Sequence, residues 1–434
     1  MRVPAALARA RADLPPAIEK VLRTLDAAGH RSWIVGGAVR DLLLGRPRGD
    51  ADFDVATPAT PEQVGALFRK VIPTGIDHGT VTVVLGGEAI EVTTFRGEGP
   101  YVDGRRPESV TFHTDLEADL SRRDFTMNAL AWDPIAPEFR DPFGGRADMA
   151  RKLVRAVGDP AARFGEDGLR AMRAVRFAAQ LGYGLHPGTR AAIPDALDVV
   201  RKVSVERVSD ELGRLVVAPH APRALGLMRK TGLLDVVLPA LAAAAPAALD
   251  HAVAVLRRVP GEPALRFAAL LHGLGAAEAE RILIALRQPR RVSDEVAALV
   301  RGHACLAAAP EPLPASPVEV RRWLSRVGVA RSDAHLALAA AEAAAGPDRG
   351  ARAEVKRLAA AVAAAKAASP ALSAQELALD GRAVMAILGA GPGPHVGEAL
   401  RHLLDRVLED PALNAPAALE AELRAWWLAR ERPL

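Results

Sequence analysis

Gly36-Gly37-Ala38-Val39-Arg40-Asp41 contains a glycine turn that is predicted to join an apolar strand to the start of a helix. The strand is Trp33-Ile34-Val35, and the helix is expected to run to Leu44. Two glycines leave the turn without side chains, so backbone N–H groups at the helix start can approach a phosphate. A glycine pair alone usually marks only a tight turn, so this interpretation depends on the acidic residues nearby in the chain.

A pair of acidic residues comes after the turn, in the segment Asp52-Phe53-Asp54. Side chains two residues apart on a strand leave from the same face, so Asp52 and Asp54 can hold metal ions together. Phe53 and Val55 are the apolar flanks of a buried strand, whereas Asp50, at the same spacing from Asp52, lacks such flanks. An Asp-x-Asp pair alone more often belongs to a solvated turn or a helix cap. Its order and proximity to the glycine turn favour a metal site.

A third carboxylate, Glu91, lies between two apolar residues in a predicted hairpin. The hairpin pairs residues 80–85 with residues 88–95 across Gly86-Gly87, a strong two-residue turn signal. Magnesium prefers oxygen ligands and keeps positions for substrate phosphates, so two or three carboxylates suffice. Two such ions can activate an attacking hydroxyl and neutralise a leaving pyrophosphate. The pattern predicts nucleotidyl transfer with Mg²⁺, with Glu91 as the best candidate for a third ligand.

Two arginine-rich motifs lie further along the chain. The first, Ser121 to Asn128, places two cations and two hydrogen-bonding side chains at a predicted helix start, where a capped helix with solvated arginines is an equal alternative. In the second, Glu166 to Phe177, charged residues recur at every third position: Asp167, Arg170, Arg173 and Arg176. This spacing predicts one helical stripe. One carboxylate cannot neutralise three guanidiniums, so we expect this face to bind an anion.

Asp167 and Arg170 also have the chemistry to select a base. Cytosine and adenine each offer an exocyclic amine beside an accepting ring nitrogen, so an accepting Asp and a donating Arg fit both. Uracil and guanine present the reverse order, and each unpaired group costs roughly 1 to 3 kcal/mol. We therefore expect a site that takes CTP and ATP, with protein in place of a template strand.

Composition bounds the class of protein. The 434 residues exceed one ordinary domain, and an apolar share of 50% is enough for two to four packed units. The lone Cys305 excludes an internal disulfide and a cysteine metal cluster, and it fits a reducing compartment. The sequence shows no signal-like start and no uninterrupted apolar stretch of about 18 residues. We therefore expect a cytoplasmic protein outside the membrane.

The order of predicted elements gives an α+β fold. Short apolar strands alternate with helices up to about Asp141, whereas from about Leu153 strands vanish and the chain becomes a series of helices punctuated by Pro and Gly. An α/β head joined to a long α-helical body is expected. Alanine-rich stretches such as residues 339–345 are predicted to be ordinary helices. Pro-rich breaks at residues 309–317 and 391–394 are predicted to be connections.

These motifs, in this order, closely resemble those of the bacterial class II tRNA nucleotidyltransferases, the CCA-adding enzymes, and their poly(A) polymerase relatives in the polymerase-β-like superfamily. The glycine turn with residues 52–57 resembles the family's catalytic motif. Asp103 to Pro107 resembles its flexible loop, implicated in the switch from C to A addition. Arg122 to Asn128 resembles the ribose-binding motif, and Glu166 to Phe177 the amino-acid template.

The resemblance implies a fold and a set of site residues. The fold is a polymerase-β-like nucleotidyltransferase head with a small mixed sheet, followed by an all-α neck, body and tail. Metal is held by Asp52 and Asp54, whereas Glu91 is inferred from its apolar flanks alone. The implied nucleotide-binding residues are Gly36, Gly37, Arg40, Arg123, Asp124, Asn128, Asp167, Arg170, Arg173 and Arg176.

The chain divides accordingly into three predicted parts: a nucleotidyltransferase head at residues 1–150, a helical neck for base recognition at residues 151–215, and a tRNA-binding body and tail at residues 216–434. Some relatives carry a metal-dependent phosphohydrolase unit with adjacent His and Asp. In this chain Gly273 comes after His272, and glycine has no side chain to bind a metal. We therefore expect His272 to be a packed or capping histidine without hydrolase activity.

The favoured hypothesis is an Mg²⁺-dependent enzyme that adds C, C and A to the 3′ end of tRNA from CTP and ATP. Poly(A) addition, or addition of only CC or only A, keeps the same chemistry, although the intact loop at residues 103–107 argues against CC-only addition. A catalytically inactive RNA-binding protein is the hypothesis of another class, and retention of Asp52 and Asp54 weighs against it. A small-molecule transferase is disfavoured by the long helical body. The sequence does not predict the oligomeric state.

Overall fold

The computed structural model describes residues 2–46, 53–76, 79–98, 110–112, 114–302, 313–368 and 370–430. Within it the chain forms two units, Met1–Ala243 and Ala244–Leu434. Asp50, Asp52, Cys305 and the loop at residues 103–107 lie outside the described residues, so the predictions on them stay predictions.

A mixed seven-stranded sheet organises the first unit. Its strands lie in the order β3-β4-β5-β2-β1-β8-β9, with β2 and β5 parallel and the other neighbours antiparallel. β6 pairs with β7, and β10 with β11, outside this sheet. The strands are β1 (Trp33–Val35), β2 (Asp54–Thr57), β3 (Val71–Gly75), β4 (Thr80–Leu85), β5 (Glu88–Thr94), β6 (Arg96–Glu98), β7 (Val110–Phe112), β8 (Ala131–Asp133), β9 (Glu138–Arg140), β10 (Leu153–Val154) and β11 (Gly184–Leu185). The predicted small mixed sheet is confirmed.

Local chemistry explains several features of the sheet. β4 and β5 form the predicted hairpin, and its turn residues Gly86 and Gly87 have φ of +62° and +87°, a region that glycine enters without steric cost. β3 carries Pro73 and lies at the sheet edge, where a missing N–H costs no ladder hydrogen bond. β1 is buried along its whole length because it lies near the middle of the sheet.

The first unit also contains the helices that position the site. They are α1 (Ala5–Ala10), α2 (Pro16–Ala27), α3 (Gly37–Leu43), α4 (Pro61–Leu67), α5 (Leu116–Ser121), α6 (Gly145–Ala150), α7 (Pro160–Glu166), α8 (Leu169–Leu181), α9 (Pro187–Ala191), α10 (Leu197–Val200), α11 (Val205–Val216), α12 (Ala221–Thr231), α13 (Leu233–Val237) and α14 (Pro239–Ala242). α8 packs against α11 and α12 and is buried on nearly every side, as a central helix is.

The second unit is helical throughout its described residues. Its helices are α15 (Pro246–Leu256), α16 (Pro263–Leu271), α17 (Ala276–Ala285), α18 (Arg290–Gly302), α19 (Pro317–Val327), α20 (Val329–Ala345), α21 (Arg349–Ala367), α22 (Gly381–Leu388), α23 (Pro394–Glu409) and α24 (Pro416–Arg430). The alanine-rich residues 339–345 lie in α20, as predicted, whereas the alanine-rich stretch at residues 242–248, also predicted to be helical, is interrupted between α14 and α15. None of the helices in the described ranges is both long and apolar enough to cross a bilayer.

The prediction of a strand-free body and the prediction of a helix start at residues 121–128 are both wrong. The short strands β10 and β11 occur beyond residue 153, and residues 121–128 do not begin a helix. α5 ends at Ser121, and the chain then forms only a 3-10 turn at Thr126–Asn128. The reason is long-range pairing: Phe125 bridges Ala156, and the backbone on either side of Phe125 bonds to Arg155 and Val157. These bonds replace the local bonds of a helix.

α6 fixes the position of this non-helical segment. Thr126 donates its hydroxyl to Asp148 of α6 at 2.8 Å, and Asp148 also accepts from Arg155 at 2.9 Å. At the start of α6, Gly145 lies directly against the backbone of Thr126. A Cβ on Gly145 would overlap the Thr126 carbonyl oxygen and stand 2.7 Å from its carbon.

Gly145→Ala is therefore expected to destabilise the protein by about 3 kcal/mol, since backbone atoms cannot yield to a methyl group as a side chain can. Urea unfolding measures the change. Gly165→Ala in α7 is the matched control, because a Cβ there meets no atom within 4 Å. The control is expected to be neutral or to stabilise by roughly 0.5 to 1 kcal/mol. Equal effects of the two variants would contradict this account.

Candidate functional site

The sheet places Asp54 and Glu91 side by side. Asp54 is the first residue of β2, and the parallel register pairs it with Glu91 of β5. Residues paired in this way project from the same face of strands that are about 4.8 Å apart. Asp54 is partly exposed and Glu91 is exposed, so both carboxylates can meet a ligand. The companion residue Asp52 lies outside the described residues, so the Asp52–Asp54 pair stays a prediction.

The turn at Gly36 brings two distant segments to this edge of the sheet. Gly36 has a φ of +72°, which disfavours any other residue. A Cβ at Gly36 would lie 2.8 Å from Nη1 of Arg123 and 3.7 Å from Oδ2 of Asp54. The turn is therefore the place where Asp54 and Arg123, separated by 69 positions in the sequence (123 minus 54), come close together. A larger residue would displace the guanidinium.

Arg123 is held by a carboxylate that sequence reasoning missed. Asp119 of α5 is fully buried and accepts from Arg122 at 2.7 Å and from Arg123 at 3.4 Å. Within the described part of the chain, the buried Nε of Arg123 has no hydrogen-bond partner. A buried donor of this kind favours an additional acceptor, such as a phosphate oxygen. Asp119 precedes the two arginines by three and four positions, the spacing of neighbouring side chains on a helix. This spacing was a signal that could have identified Asp119 as their partner.

A hydrogen-bonded chain links α3 to α8. Arg40 donates to Asn128 at 2.7 Å and, through two nitrogens, to Asp41 at 2.8 and 2.9 Å. Asn128 donates to Asp124 at 2.9 Å. Asp124 accepts from Arg173 of α8 at 2.6 Å. Four of the predicted nucleotide-binding residues, Arg40, Asn128, Asp124 and Arg173, are thus connected to one another.

The arginines of the predicted anion-binding stripe of α8 have more acidic partners in the structure than the sequence indicated. The argument that one carboxylate faces three guanidiniums was wrong, because three other acids pair with them. Arg170 pairs with Glu166, Arg173 with Asp124, and Arg176 with Glu211 of α11. Sequence spacing could not reveal Asp124 or Glu211 as partners, since each comes from another element.

The charges of Asp124 and Arg173 stabilise each other against the cost of burial. Burial opposes ionisation of Asp124, but the charge of Arg173 and hydrogen bonds from Asn128 and Arg173 outweigh it and hold the pKa of Asp124 below its ordinary value. Burial likewise opposes the charge of Arg173, yet Asp124 and Glu211 raise its pKa. The centroid of the Phe177 ring lies 4.0 Å from the guanidinium carbon of Arg176 and 5.5 Å from that of Arg173. These contacts add cation–π attraction.

Asp167 lies outside the helix that was predicted to contain it. Its backbone is extended between α7 and α8, and its Oδ1 accepts from the backbone N–H of Leu169 at 3.0 Å. Its Oδ2 accepts from Arg207 of α11 at 2.7 Å, a contact that sequence reasoning missed. Gly168, which follows it, permits the close approach of another segment, because a Cβ there would lie 2.6 Å from backbone atoms of Val199 and Val200.

Arg170, the predicted partner of Asp167 in base selection, is fixed from three sides. Besides the Glu166 carboxylate, it donates to the backbone carbonyls of Arg163 and Arg122, each at 3.1 Å. Its side chain is largely buried. The structure thus holds both template candidates in defined positions, Asp167 through Arg207 and Arg170 through Glu166.

Comparison with known proteins identifies relatives along almost the whole chain. Residues 32–155 match the family model "Poly A polymerase head domain", and residues 182–245 match "Probable RNA and SrmB- binding site of polymerase A". The CCA-adding enzyme of Geobacillus thermodenitrificans is 40% identical over 412 residues, which cover 95% of this chain and 96% of that protein. The CCA-adding enzyme of Geobacillus stearothermophilus is 40% identical over 414 residues, with the same coverage.

Solved structures agree with these matches. The crystal structure of the Bacillus stearothermophilus CCA-adding enzyme in complex with CTP has a TM-score of 0.78 and 37% identity, and the match covers 96% of this chain and 99% of that one. A tRNA nucleotidyltransferase complexed with a primer tRNA and an incoming ATP analogue has a TM-score of 0.61 at 22% identity, covering 80% of this chain and 99% of that one, which supports the fold alone.

Asp124→Asn is expected to lower the free energy of unfolding by about 1.5 to 3 kcal/mol at pH 7, because it removes the charge of a buried carboxylate that is hydrogen-bonded to the partly exposed Arg173. Since the folded pKa of Asp124 is lowered, its contribution is complete above about pH 5 and is lost as the pH falls through about 4 towards the folded value. Urea unfolding of both proteins across this pH range measures the difference.

The matched control is Asp198→Asn, which removes an exposed ion pair with Arg201. Exposed pairs contribute little, so this control should unfold almost like the unmodified protein at every pH. A difference between Asp124→Asn and the unmodified protein that stays constant down to about pH 3, well below the ordinary pKa of an aspartate, would refute the assignment.

Proposed function

Because this chain belongs to the family of CCA-adding enzymes, we propose that it adds C, C and A to the 3′ end of tRNA, using CTP and ATP and releasing pyrophosphate. Membership rests on 40% identity over 96% of a CCA-adding enzyme. The curated relatives compared above are CCA-adding enzymes, which disfavours poly(A) addition, partial addition and a catalytically inactive RNA-binding protein. The predicted loop at residues 103–107 supports addition of both nucleotides.

The observation that carries the mechanism is the meeting of Gly36, Asp54 and Arg123. The oxygen ligands Asp54 and Glu91, with the predicted Asp52, suit a hard divalent cation, and we infer Mg²⁺. Such an ion supplies a more acidic 3′ hydroxyl and charge neutralisation at the leaving pyrophosphate. Arg123 lies beside this edge and has a buried N–H to donate, so it is proposed to bind the triphosphate.

The series of hydrogen-bonded side chains from Arg40 to Arg173 is proposed to align the sugar and triphosphate with the base. Asn128 is bonded on both sides, to Arg40 and to Asp124, so its amide has one orientation. We propose that Gly36 and Gly37 give the triphosphate access to the backbone. Arg173 and Arg176 are proposed to hold Asp124 and Glu211 in place. These four side chains would then form part of the surface that the nucleotide contacts.

Base selection is proposed for Asp167 and Arg170. A carboxylate only accepts and a guanidinium only donates, which matches the amine and ring nitrogen of cytosine and adenine. Each carboxylate oxygen has two lone pairs, so Asp167 can accept from a base while it also accepts from Arg207 and Leu169. Arg207 thus becomes a positioning residue for Asp167.

A division of labour among the three predicted parts of the chain is also proposed. We propose catalysis in residues 1–150, base recognition in residues 151–215 and tRNA binding in residues 216–434. Duplex RNA is recognised mainly through its shape and its phosphates, contacts that helices can provide. A cytoplasmic location is proposed, since CTP, ATP and immature tRNA meet there.

Asp54→Ala is expected to reduce incorporation of both C and A by at least roughly 10³-fold, because a carboxylate at the metal edge is lost. The measurement incubates purified protein with tRNA that lacks its 3′ CCA, Mg²⁺ and each labelled nucleotide. Glu88→Ala is the control, since Glu88 lies exposed on the same hairpin three positions from Glu91. Long A tracts without C incorporation by the unmodified protein would instead establish a poly(A) polymerase.

Asp167→Asn is expected to lower the preference for CTP over UTP by about tenfold or more, because an amide both donates and accepts. Competition between CTP and UTP for tRNA ending before the first C measures the ratio. Asp195→Asn, on an exposed side chain of the same unit, is the control. An unchanged ratio with reduced total activity would assign Asp167 to structure alone.

A further inference from the structure

Two histidines and a glutamate converge in the second unit, whereas the residues proposed above for catalysis and base selection lie in the first. His251 is in the middle of α15, His272 comes directly after the end of α16, and Glu342 is in α20. One ligand atom from each of the three lies within 4.8 Å of the others. We propose that His251, His272 and Glu342 bind a transition-metal ion of the zinc class.

The distances agree with shared coordination. Oε1 of Glu342 lies 3.6 Å from Nε2 of His251 and 3.8 Å from Nε2 of His272. These separations are longer than hydrogen bonds, which are about 2.7 to 3.2 Å. Two ligands on one tetrahedral zinc, with bonds near 2.0 to 2.1 Å, stand about 3.3 to 3.4 Å apart. Both distances to Glu342 are therefore within about half an ångström of that spacing, and the ligand atoms of the two histidines lie within 4.8 Å of each other.

The tautomer of His272 is set correctly for a ligand. Its Nδ1 lies 2.9 Å from the carbonyl oxygen of Ala269. A carbonyl oxygen can only accept, so Nδ1 must carry the proton, and in the neutral ring the lone pair is then on Nε2, on the side of Glu342. Metal-binding histidines are oriented by this kind of second hydrogen bond.

Charge favours a cation rather than a protonated histidine pair. Glu342 is 3% exposed, and an ionised carboxylate at such a depth needs positive charge beside it. The two imidazole rings have centroids only 5.4 Å apart, so two protonated rings would repel each other. A divalent ion bound to two neutral imidazoles compensates the carboxylate without that repulsion.

The ligand types separate this site from the proposed magnesium site. Imidazole suits zinc, copper, iron and nickel, whereas magnesium prefers oxygen and keeps several waters. Two histidines and one glutamate form a known zinc ligand set with a fourth position for water or another small ligand. Gly273 adds no carboxylate next to His272, so the proposed site has three protein ligands and differs from a site built on adjacent His and Asp. It gives His272 a role beyond the packing or capping predicted from the sequence. The ion would fasten α15, the end of α16 and α20 to one another.

The test uses the full-length chain without an affinity tag, freed of metal by chelation. Titration with ZnCl₂ is expected to show one tightly bound zinc per chain, and CoCl₂ to give the visible absorption of four-coordinate Co²⁺. Excess Mg²⁺ should not displace the zinc, and Asp54→Ala should still bind it. Zinc is also expected to raise the Tm by several degrees, since a ligand of the folded state stabilises it.

His272→Gln and Glu342→Gln are expected to lower zinc affinity at least tenfold and to remove the Co²⁺ spectrum. His251→Gln is included because the ring of His251 is partly exposed, so its replacement disturbs packing less than a core substitution does. Circular dichroism checks that each variant folds. His402→Gln is the matched control, since His402 also lies near a glutamate, Glu422 at 4.0 Å, but without a second histidine. Absence of stoichiometric zinc, or equal affinity in the His251, His272 and His402 variants, would overturn the proposal.

Discussion

Asp124 and Arg173 join the segment that follows α5 to the central helix of the first unit, and the rest of the proposed site depends on this ion pair. On one side, Asp124 is bonded to Asn128, which Arg40 holds from α3. On the other side, Arg173 reaches Glu211, which also binds Arg176. One continuous network of charges and amides therefore spans the glycine turn, the 3-10 turn at Thr126–Asn128, α8 and α11.

Such a network is better explained by geometry than by stability. A buried ion pair loses most of its Coulomb attraction to desolvation, and an apolar pair of similar volume is often as stable. What ions add is direction, because a guanidinium fixes the angle as well as the distance of a carboxylate. In this chain each arginine of α8 has a carboxylate from a different element. We infer that the network holds the head and base-selecting residues in register, which preorganised catalysis requires.

The sequence predicted best what depends on local chemistry and on motif order. The hairpin at Gly86-Gly87, the strand at Trp33 and the mixed sheet are confirmed, because turn residues and apolar alternation act over a few positions. The partners of Arg173, Arg176 and Asp167 could not be predicted, since Asp124, Glu211 and Arg207 are 35 to 49 positions away and nothing in their own spacing marks them. For the same reason the non-helical course of residues 122–125 was missed.

If Asp167 and Arg170 select the base as proposed, their restraint explains how one rigid site accepts two bases of different size. Cytosine and adenine differ in outline but share the order of amine and acceptor, so the selector must test hydrogen-bond direction rather than shape. Asp167 can only accept and Arg170 can only donate, whichever way either group rotates. An amide could flip and satisfy the reverse order presented by uracil and guanine. A group that only accepts or only donates therefore still distinguishes the bases when the base shifts slightly. The contacts of Arg207 and Glu166 need only hold Asp167 and Arg170 near the base.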